Sequence, residues 1–187
     1  MFDSIKQHQD KIIGVGLDSS ELGHPPEKFK RVFQQAKQAG FLTVAHAGEE
    51  GPAQNIRQVI EMYGVSRVDH GVRCTEDPAL VKQLIETQMP LTVCPLSNIK
   101  LCVFDTMAQH NLVDLLRQGV AVTINSDDPA YFGGYMTDNF LAVHQAIPMT
   151  KQELAQLSIN AINASFIEAE LKQAYIQNVT DYLATNG

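Results

Sequence analysis

The chain has 187 residues, 44% of them hydrophobic and 19% charged, which suits one globular domain with a sizeable buried core. Its formal net charge of −7 argues against nucleic-acid binding and against docking on anionic lipid, since both favour a basic surface. No apolar run reaches the length of a membrane span, the opening residues do not resemble a signal peptide, and the cysteines lack a CxxC spacing, so we expect a cytoplasmic protein.

Short apolar runs recur along the chain and predict buried β-strands. The runs are Ile12–Leu17, Phe41–Ala45, Arg67–Val68, Leu91–Cys94 and Val120–Ile124. Their hydrophobicity is nearly continuous and not alternating, which is typical of parallel strands that are covered on both faces. The ends of these runs lie about 24 to 31 residues apart, so each gap has room for a crossover helix.

Helical patterns fill the gaps between the predicted strands. They cover Pro26–Ala39, Ala53–Tyr63, a segment that starts at Pro78 after the capping residue Asp77, and Ala108–Gln118. After Pro129 the pattern changes, and three successive helices are predicted with no strand between them. These are Thr137–Ile147, Thr150–Asn163 and Ser165 to about Ala184.

The regular strand–helix unit predicts a parallel α/β fold. A (β/α)8 barrel of the TIM type uses about 250 residues over eight units, whereas this chain supplies about five strands. We therefore expect the carboxyl-terminal part of such a barrel, with extra carboxyl-terminal helices, in one amino-terminally incomplete domain over residues 1–187. A five-stranded doubly wound sheet is the competing fold.

Titratable residues follow three of the predicted strands. They are His46 and Glu49 after the second strand, His70 after the third, and Asp127 and Asp128 after the fifth. Each has an ordinary structural explanation, since strand-end histidines are often simply hydrogen-bonded and an aspartate before proline can cap a helix. Reactive groups gather at the carboxyl ends of parallel strands, so the five together predict a functional site.

Imidazole and carboxylate groups in one site suit Zn²⁺ or another borderline divalent metal. Among these residues, His46 and Asp127 are the natural metal ligands. A catalytic zinc normally has three protein ligands or more, so the predicted site lacks part of its ligand set. The other histidines lie in loops or helical segments without a matching partner spacing.

Four motifs follow one another along the chain: His46-Ala47-Gly48-Glu49, Asp69-His70-Gly71, Cys94-Pro95-Leu96-Ser97-Asn98 and Ser126-Asp127-Asp128-Pro129. In this order the motifs resemble those of the adenosine/adenine deaminase family of metal-dependent hydrolases. The resemblance runs from about Ile12 to the last helices. Zinc deaminases that act on cytosine use a different H-x-E…P-C-x-x-C pattern, which is absent from this sequence.

The resemblance implies a role for each predicted site residue. His46 and Asp127 would bind zinc, and Glu49 would be the general acid that protonates N1 of a purine. His70 would orient or deprotonate the metal-bound water, and Asp128 would hydrogen-bond the N7 side of the purine ring.

The family also has a His-x-His pair on its first strand, and no such pair occurs in these 187 residues. We therefore expect a cloned fragment, a truncated gene product or one piece of a split protein. Alone, it should bind zinc weakly and turn over little substrate.

The segment Asp18-Ser19-Ser20-Glu21 bears on the substrate. Adenosine deaminases resemble one another in an Asp-x-x-Gly segment at this place. Here the fourth residue is Glu21 and not glycine, and in this the segment is similar to that of bacterial and fungal adenine deaminases. A carboxylate here can accept a hydrogen bond from the imidazole N–H of free adenine, which adenosine lacks. Asp18 and Glu21 are therefore predicted substrate contacts, although the segment can also simply cap the next helix.

The function that this sequence favours is hydrolytic deamination of adenine to hypoxanthine and ammonia, in purine salvage, with a small purine as the binding partner. The alternatives are an adenosine or related nucleoside deaminase, another metal-dependent barrel hydrolase, and an inactive binding module. An incomplete barrel exposes sheet edges and apolar surface, so the sequence is also compatible with a homo-oligomer.

Overall fold

A computed structural model of the chain describes Ile5, His8 and residues 10–186. The chain divides into two compact units, Met1–Lys82 and Gln83–Gly187. The assignment of a single domain to residues 1–187 stays a prediction. Within the described residues, none of the helices combines the length and the hydrophobicity that crossing a bilayer requires.

The described part of the first unit contains three parallel strands in the order β1-β2-β3. They are β1 (Gly14–Leu17), β2 (Leu42–Ala47) and β3 (Arg67–His70). In this register Ala45 pairs with Val68, and Ala47 pairs with His70. Because the strands are parallel and in register, the residues that follow β2 and β3 emerge side by side.

Helices join these strands, as predicted, but two of them are not uniform. A 3₁₀ turn (Pro26–Phe29) precedes α1 (Lys30–Gln38), and α2 (Ala53–Gln58) continues as a π-helical turn (Val59–Tyr63). The sequence predicts one helix over Ala53–Tyr63, because hydrophobic periodicity does not separate an α-helical from a π-helical turn. A 3₁₀ turn (Val72–Glu76) follows β3, and the boundary between the units falls within α3 (Pro78–Thr87).

The π-helical turn contributes the largest buried side chain of the first unit, Tyr63. Its ring stacks on Phe33 of α1 with a centroid separation of 4.0 Å. Its hydroxyl donates a hydrogen bond to the carbonyl of Pro26. Since a buried phenol needs a partner for its hydroxyl, this bond fixes the 3₁₀ turn against the helix that follows β2.

Within its described residues, the second unit contains two further parallel strands, β4 (Leu91–Val93) and β5 (Val122–Ile124). Two short α-helices and a 3₁₀ turn lie between them: α4 (Pro95–Lys100), the turn Met107–Gln109, and α5 (Leu112–Arg117). All three residues of β5 are buried. Every described strand pair is parallel, so the predicted α/β class is confirmed.

Up to residue 186, four helices follow β5: α6 (Pro129–Phe132), α7 (Met136–Ala146), α8 (Lys151–Ala164) and α9 (Ala169–Asn186). The last three confirm the predicted helical segments to within a few residues. Thr150 and Glu153 form the capping box that starts α8. Asn160 of α8 donates from Nδ2 to the carbonyl of Val122 at 2.8 Å, which ties this helix to β5.

The predicted helix Ala108–Gln118 is wrong at its start, because His110 interrupts it. The backbone of His110 is extended, with φ −68° and ψ 131°. Its buried ring accepts a hydrogen bond at Nδ1 from the N–H of Leu112 and lies 3.2 Å from Asn98 Oδ1 through Nε2. The side chain therefore takes the place of an ordinary helix cap for α5, which a periodicity argument does not detect.

Acid should destabilise the second unit through His110. Burial lowers the pKa of His110 from its ordinary value near 6.5 to about 4, so the ring takes up a proton on unfolding between these values. The contribution of neutral His110 to the free energy of unfolding is complete above about pH 6.5. It falls by roughly 2–3 kcal/mol as the pH is lowered towards 4. Urea unfolding from pH 7 to pH 4 of the wild type and of His110→Gln measures this. Equal pH dependence of the two chains would contradict it.

Candidate active site

His46, predicted to follow the second strand, lies within β2 itself, and the loop after β2 carries Glu49. Gly48 has φ +69°, and a Cβ at this position would lie 2.4 Å from Cδ1 of Ile56. Only glycine combines this backbone conformation with the close approach of the helix that follows. The turn at Gly48 directs the next residue, Glu49, back towards the end of β3.

Glu49 and His70 form a buried pair at the ends of neighbouring strands. Glu49 Oε1 lies 3.1 Å from His70 Nδ1, and the two residues are 7% and 1% exposed. Backbone hydrogen bonds from Gly71 to the carbonyl of Ala47, and from Arg73 to that of Gly48, join the two strand-end segments. The short separation places a proton within reach of both side chains.

His70 has an unusual backbone conformation for a residue with a side chain. Its φ is +64°, and the next residue, Gly71, also has a positive φ of +70°. A non-glycine residue in this region is strained and persists only where its surroundings hold it. Such outliers gather at functional sites, which agrees with the predicted importance of this histidine.

The ring of His46 completes the group. It packs against the ring of His70 in a T-shaped arrangement, with a centroid separation of 4.5 Å. One ligand atom from each of His46, Glu49 and His70 lies within 4.8 Å of the others. Imidazole nitrogens and a carboxylate oxygen are the kinds of ligand atom that zinc accepts.

A cavity of about 300 Å³ lies within the first unit, and His46 forms part of its lining. The predicted substrate contacts Asp18 and Glu21 also line it. Sequence reasoning missed several further lining residues, namely Ser19, Ser20, His24 and Asn55. Their proximity in sequence to Glu21, or to the start of α2, was the signal that could have indicated them.

The carboxylate of Glu21 is already bound by protein donors. Its two oxygens accept hydrogen bonds of 2.8–2.9 Å from the backbone N–H groups of residues 48–51, and one of 3.3 Å from Asn55 Nδ2. Burial disfavours its charged form, but the bonds from the loop and from Asn55 outweigh burial and lower the pKa of Glu21. Its direct contact with adenine stays a prediction.

Arg73 holds the same loop from another direction. Its Nη1 donates to the carbonyl of Glu50 at 2.6 Å, and its guanidinium also pairs with Glu76 at 2.6 Å. Glu76 in turn accepts a hydrogen bond from the N–H of Ala53 at the start of α2. This network is not apparent in the sequence, because nothing in the pattern shows that Arg73 faces the loop.

The remaining predicted residues, Asp127 and Asp128, belong to the second unit. Asp127 is exposed and has φ +56°, so it shares the strained conformation of His70. Asp128 Oδ1 caps α6 by accepting from the N–H groups of Ala130 and Tyr131 at 3.0 and 3.2 Å. The capping role that the sequence left open is therefore observed. A metal shared by His46 and Asp127 stays a prediction.

Comparison with known proteins gives matches along almost the whole chain. The sequence profile of the adenosine deaminase family matches residues 2–182. Adenine deaminase of Vibrio parahaemolyticus is 76% identical over 97% of this chain and 54% of its own length. Adenine deaminase of Hahella chejuensis is 60% identical over 95% of this chain and 52% of its own length. The chain thus spans about half the length of the curated relatives it matches.

Solved structures of related proteins also match almost the whole chain. The crystal structure of adenine deaminase from Arthrobacter aurescens has a TM-score of 0.95 and 44% identity, over 98% of this chain and 56% of that one. An amidohydrolase from Burkholderia ambifaria, solved with bound zinc, has a TM-score of 0.84 and 26% identity, over 95% of this chain and 52% of that one. The predicted fold class, the carboxyl-terminal part of a (β/α)8 barrel, is confirmed.

A pair of glycine substitutions tests the packing of the loop. Gly40 has φ +85° with nothing within 4 Å of an added Cβ, so Gly40→Ala should cost about 1 kcal/mol for the backbone conformation alone. Gly48→Ala adds the overlap with Ile56 and should cost about 1–3 kcal/mol more. Urea unfolding measures both variants. Ile56→Ala should reduce the extra cost of Gly48→Ala, and equal losses at Gly40 and Gly48 would contradict the geometry.

Proposed function

Because the chain belongs to the adenosine deaminase family, we propose that it supplies the carboxyl-terminal half of an enzyme that converts adenine to hypoxanthine and ammonia. Relatives at 76% and 60% identity bear the name adenine deaminase. The observation that carries the proposal is the buried Glu49–His70 pair, 3.1 Å apart and in contact with the ring of His46. These are the groups that water attack on a purine ring requires.

Glu49 has the role of general acid. When the oxygen of water bonds to C6 of adenine, the ring loses its conjugation and negative charge builds up at N1. A proton delivered to N1 relieves that charge, and a buried carboxyl group holds a proton for this step more readily than an exposed one. The C6–N bond then breaks as the amino group takes up the proton that His70 accepted from the water, and it leaves as ammonia. The C6 hydroxyl returns a proton to Glu49, and the lactam of hypoxanthine remains.

His70 has the role of orienting the attacking water and accepting its proton. Its Nδ1 is committed to Glu49, so the hydrogen bond at 3.1 Å fixes the ring plane. The positive φ of His70 and the packing of the His46 ring against it hold that plane at the end of β3. A fixed imidazole loses less freedom when substrate binds, which favours reaction.

Zinc is the metal that we propose for the site, with His46 and Asp127 as ligands from this chain. Zinc, when bound, lowers the pKa of a coordinated water to about 7 and so makes a nucleophile available at neutral pH. The amidohydrolase from Burkholderia ambifaria was solved with bound zinc. No His-x-His pair occurs in the sequence, so the missing ligands would come from the half of the relatives that this chain does not span.

Substrate contacts are proposed for two acidic residues. Both capping bonds of Asp128 use Oδ1, so Oδ2 is the oxygen that would face the N7 side of the purine. Asp18 is exposed and lines the cavity beside His46, where a small purine would fit. We further propose that the enzyme is cytoplasmic and acts in purine salvage. The net charge of −7 on this chain disfavours nucleic acid and anionic membrane as partners.

Completing the chain should restore activity. The completed protein is defined as this chain joined to the amino-terminal part of the Vibrio parahaemolyticus relative that lies outside the match. It should bind one zinc and deaminate adenine faster than adenosine. The chain alone should bind zinc weakly and deaminate adenine at less than about 1% of that rate, because a catalytic zinc needs three or more protein ligands. Elemental analysis and ammonia release measure this. Stoichiometric zinc with ordinary turnover from the chain alone would contradict the prediction.

Glu49→Gln in the completed protein should lower kcat for adenine by roughly 10²–10⁴, the usual contribution of a general acid. Its zinc content should stay near one equivalent, since the substitution removes the proton donor and leaves His46 and Asp127 in place. Glu61→Gln, an exposed carboxylate of the π-helical turn, is the matched control and should keep full activity. A Glu49→Gln enzyme with the wild-type rate would rule out this role.

A further inference from the structure

The carboxylate of Glu21 is surrounded by the loop of residues 48–51, which carries the proposed general acid. Gly48 N–H donates to Oε1 at 2.8 Å, and the N–H groups of Glu49, Glu50 and Gly51 donate to Oε2 at 2.8, 2.9 and 2.9 Å. Four consecutive backbone donors on one side chain form an anion-binding nest whose anion is built into the protein.

We propose that Glu21 is a positioning residue: it fixes the conformation of loop 48–51, holds Glu49 against His70 in that way, and does not itself contact the purine. The inference deepens the proposed deaminase function and rests on it for its kinetic consequence. Its structural part, the control of the loop by the carboxylate, stands on the hydrogen bonds alone. This positioning role replaces the sequence-based prediction that Glu21 accepts a hydrogen bond from the imidazole N–H of adenine.

The acceptor capacity of Glu21 favours this role. An ionised carboxylate offers about four lone-pair sites, and five donors already approach the two oxygens of Glu21, counting Asn55 Nδ2 at 3.3 Å. A substrate N–H would have to displace one of these donors. Hydrogen bonds to a charged acceptor are stronger than neutral ones, so such displacement is unfavourable.

The two glycines of the loop fit the same interpretation. A Cβ on Gly51 would lie 2.8 Å from Glu21 Oε1 and 2.3 Å from Asn55 Nδ2, so a side chain there would push the carboxylate out. Gly48 provides the left-handed turn with φ +69° at the other end of the loop. Both glycines are therefore needed for the backbone to wrap around Glu21.

The link to chemistry is short. The N–H of Glu49 is one of the four donors, and the side chain of the same residue reaches His70. A shift of about 1 Å in a reacting group can cost about 10²-fold in rate, so loss of the anion should be visible in kcat. Arg73, bound to the carbonyl of Glu50, still ties the loop to the 3₁₀ turn after β3. The protein should therefore stay folded when Glu21 is altered.

Hydrogen exchange tests the structural part directly. Glu21→Gln keeps the size of the side chain but replaces one acceptor oxygen with an NH₂ group, which cannot accept from backbone N–H. In the completed protein, mass spectrometry should show at least about 10-fold faster exchange in residues 48–51, with exchange in α1 unchanged. The same exchange rate at residues 48–51 in Glu21→Gln and wild type would overturn the proposal.

Steady-state kinetics test the functional part. Glu21→Gln should lower kcat by at least about 10-fold for adenine and adenosine alike, with KM within about twofold and an unchanged ratio of the two activities. Glu21→Asp, which keeps the charge on a shorter stem, should recover part of the loss, and the control Glu61→Gln should behave as wild type. A raised KM for adenine, or a changed adenine-to-adenosine ratio, would instead mean direct contact with the purine and would overturn the positioning role.

The two measurements separate this proposal from the proposed function. If the completed protein deaminates no purine, the deaminase assignment fails. Hydrogen exchange still decides whether Glu21 controls the loop. If the completed protein is active and Glu21→Gln changes neither exchange nor kcat, the deaminase assignment survives and the positioning role is overturned.

Discussion

The register between β2 and β3 is the constraint on which the candidate site depends. The strands run in parallel with Ala47 opposite His70, so the segments that follow them leave the sheet next to each other. This places Glu49 within hydrogen-bond distance of His70, and the ring of His46 against the same imidazole. A slip of one residue would turn every side chain of the slipped strand to the other face of the sheet and separate the three groups.

Acidic groups in a partly buried loop are tolerated because each has defined partners. Glu21 is stabilised as an anion by backbone N–H groups and an amide, and Glu49 has the imidazole of His70 as its hydrogen-bond partner. A buried polar group without such partners would lose its hydration with nothing in exchange, which is unfavourable. The strained backbones of His70 and Asp127 also depend on their surroundings, since the surrounding structure maintains positive φ values that an isolated chain would avoid.

Much of the fold could be predicted from the sequence, because continuous apolar runs and glycine stops locate buried strands and helix ends. The positions of His46, Glu49 and His70 at strand ends also followed from that pattern. The break at His110 did not, since it depends on hydrogen bonds that the His110 ring makes in the folded chain. The π-helical turn after Gln58 did not either, since hydrophobic periodicity does not distinguish it from an α-helical turn. Glu21 is the clearest case. Its position was found, but its partners lie 27 to 34 residues further along the chain, and only coordinates reveal that they occupy the carboxylate.

The most direct test of the account is a crystal structure of the completed protein with zinc and hypoxanthine. The account predicts a carboxyl oxygen of Glu49 within hydrogen-bond distance of N1 of the purine, with His46 on the metal and His70 still in contact with Glu49. Hypoxanthine bound with N1 turned away from Glu49, or zinc bound without His46, would contradict it.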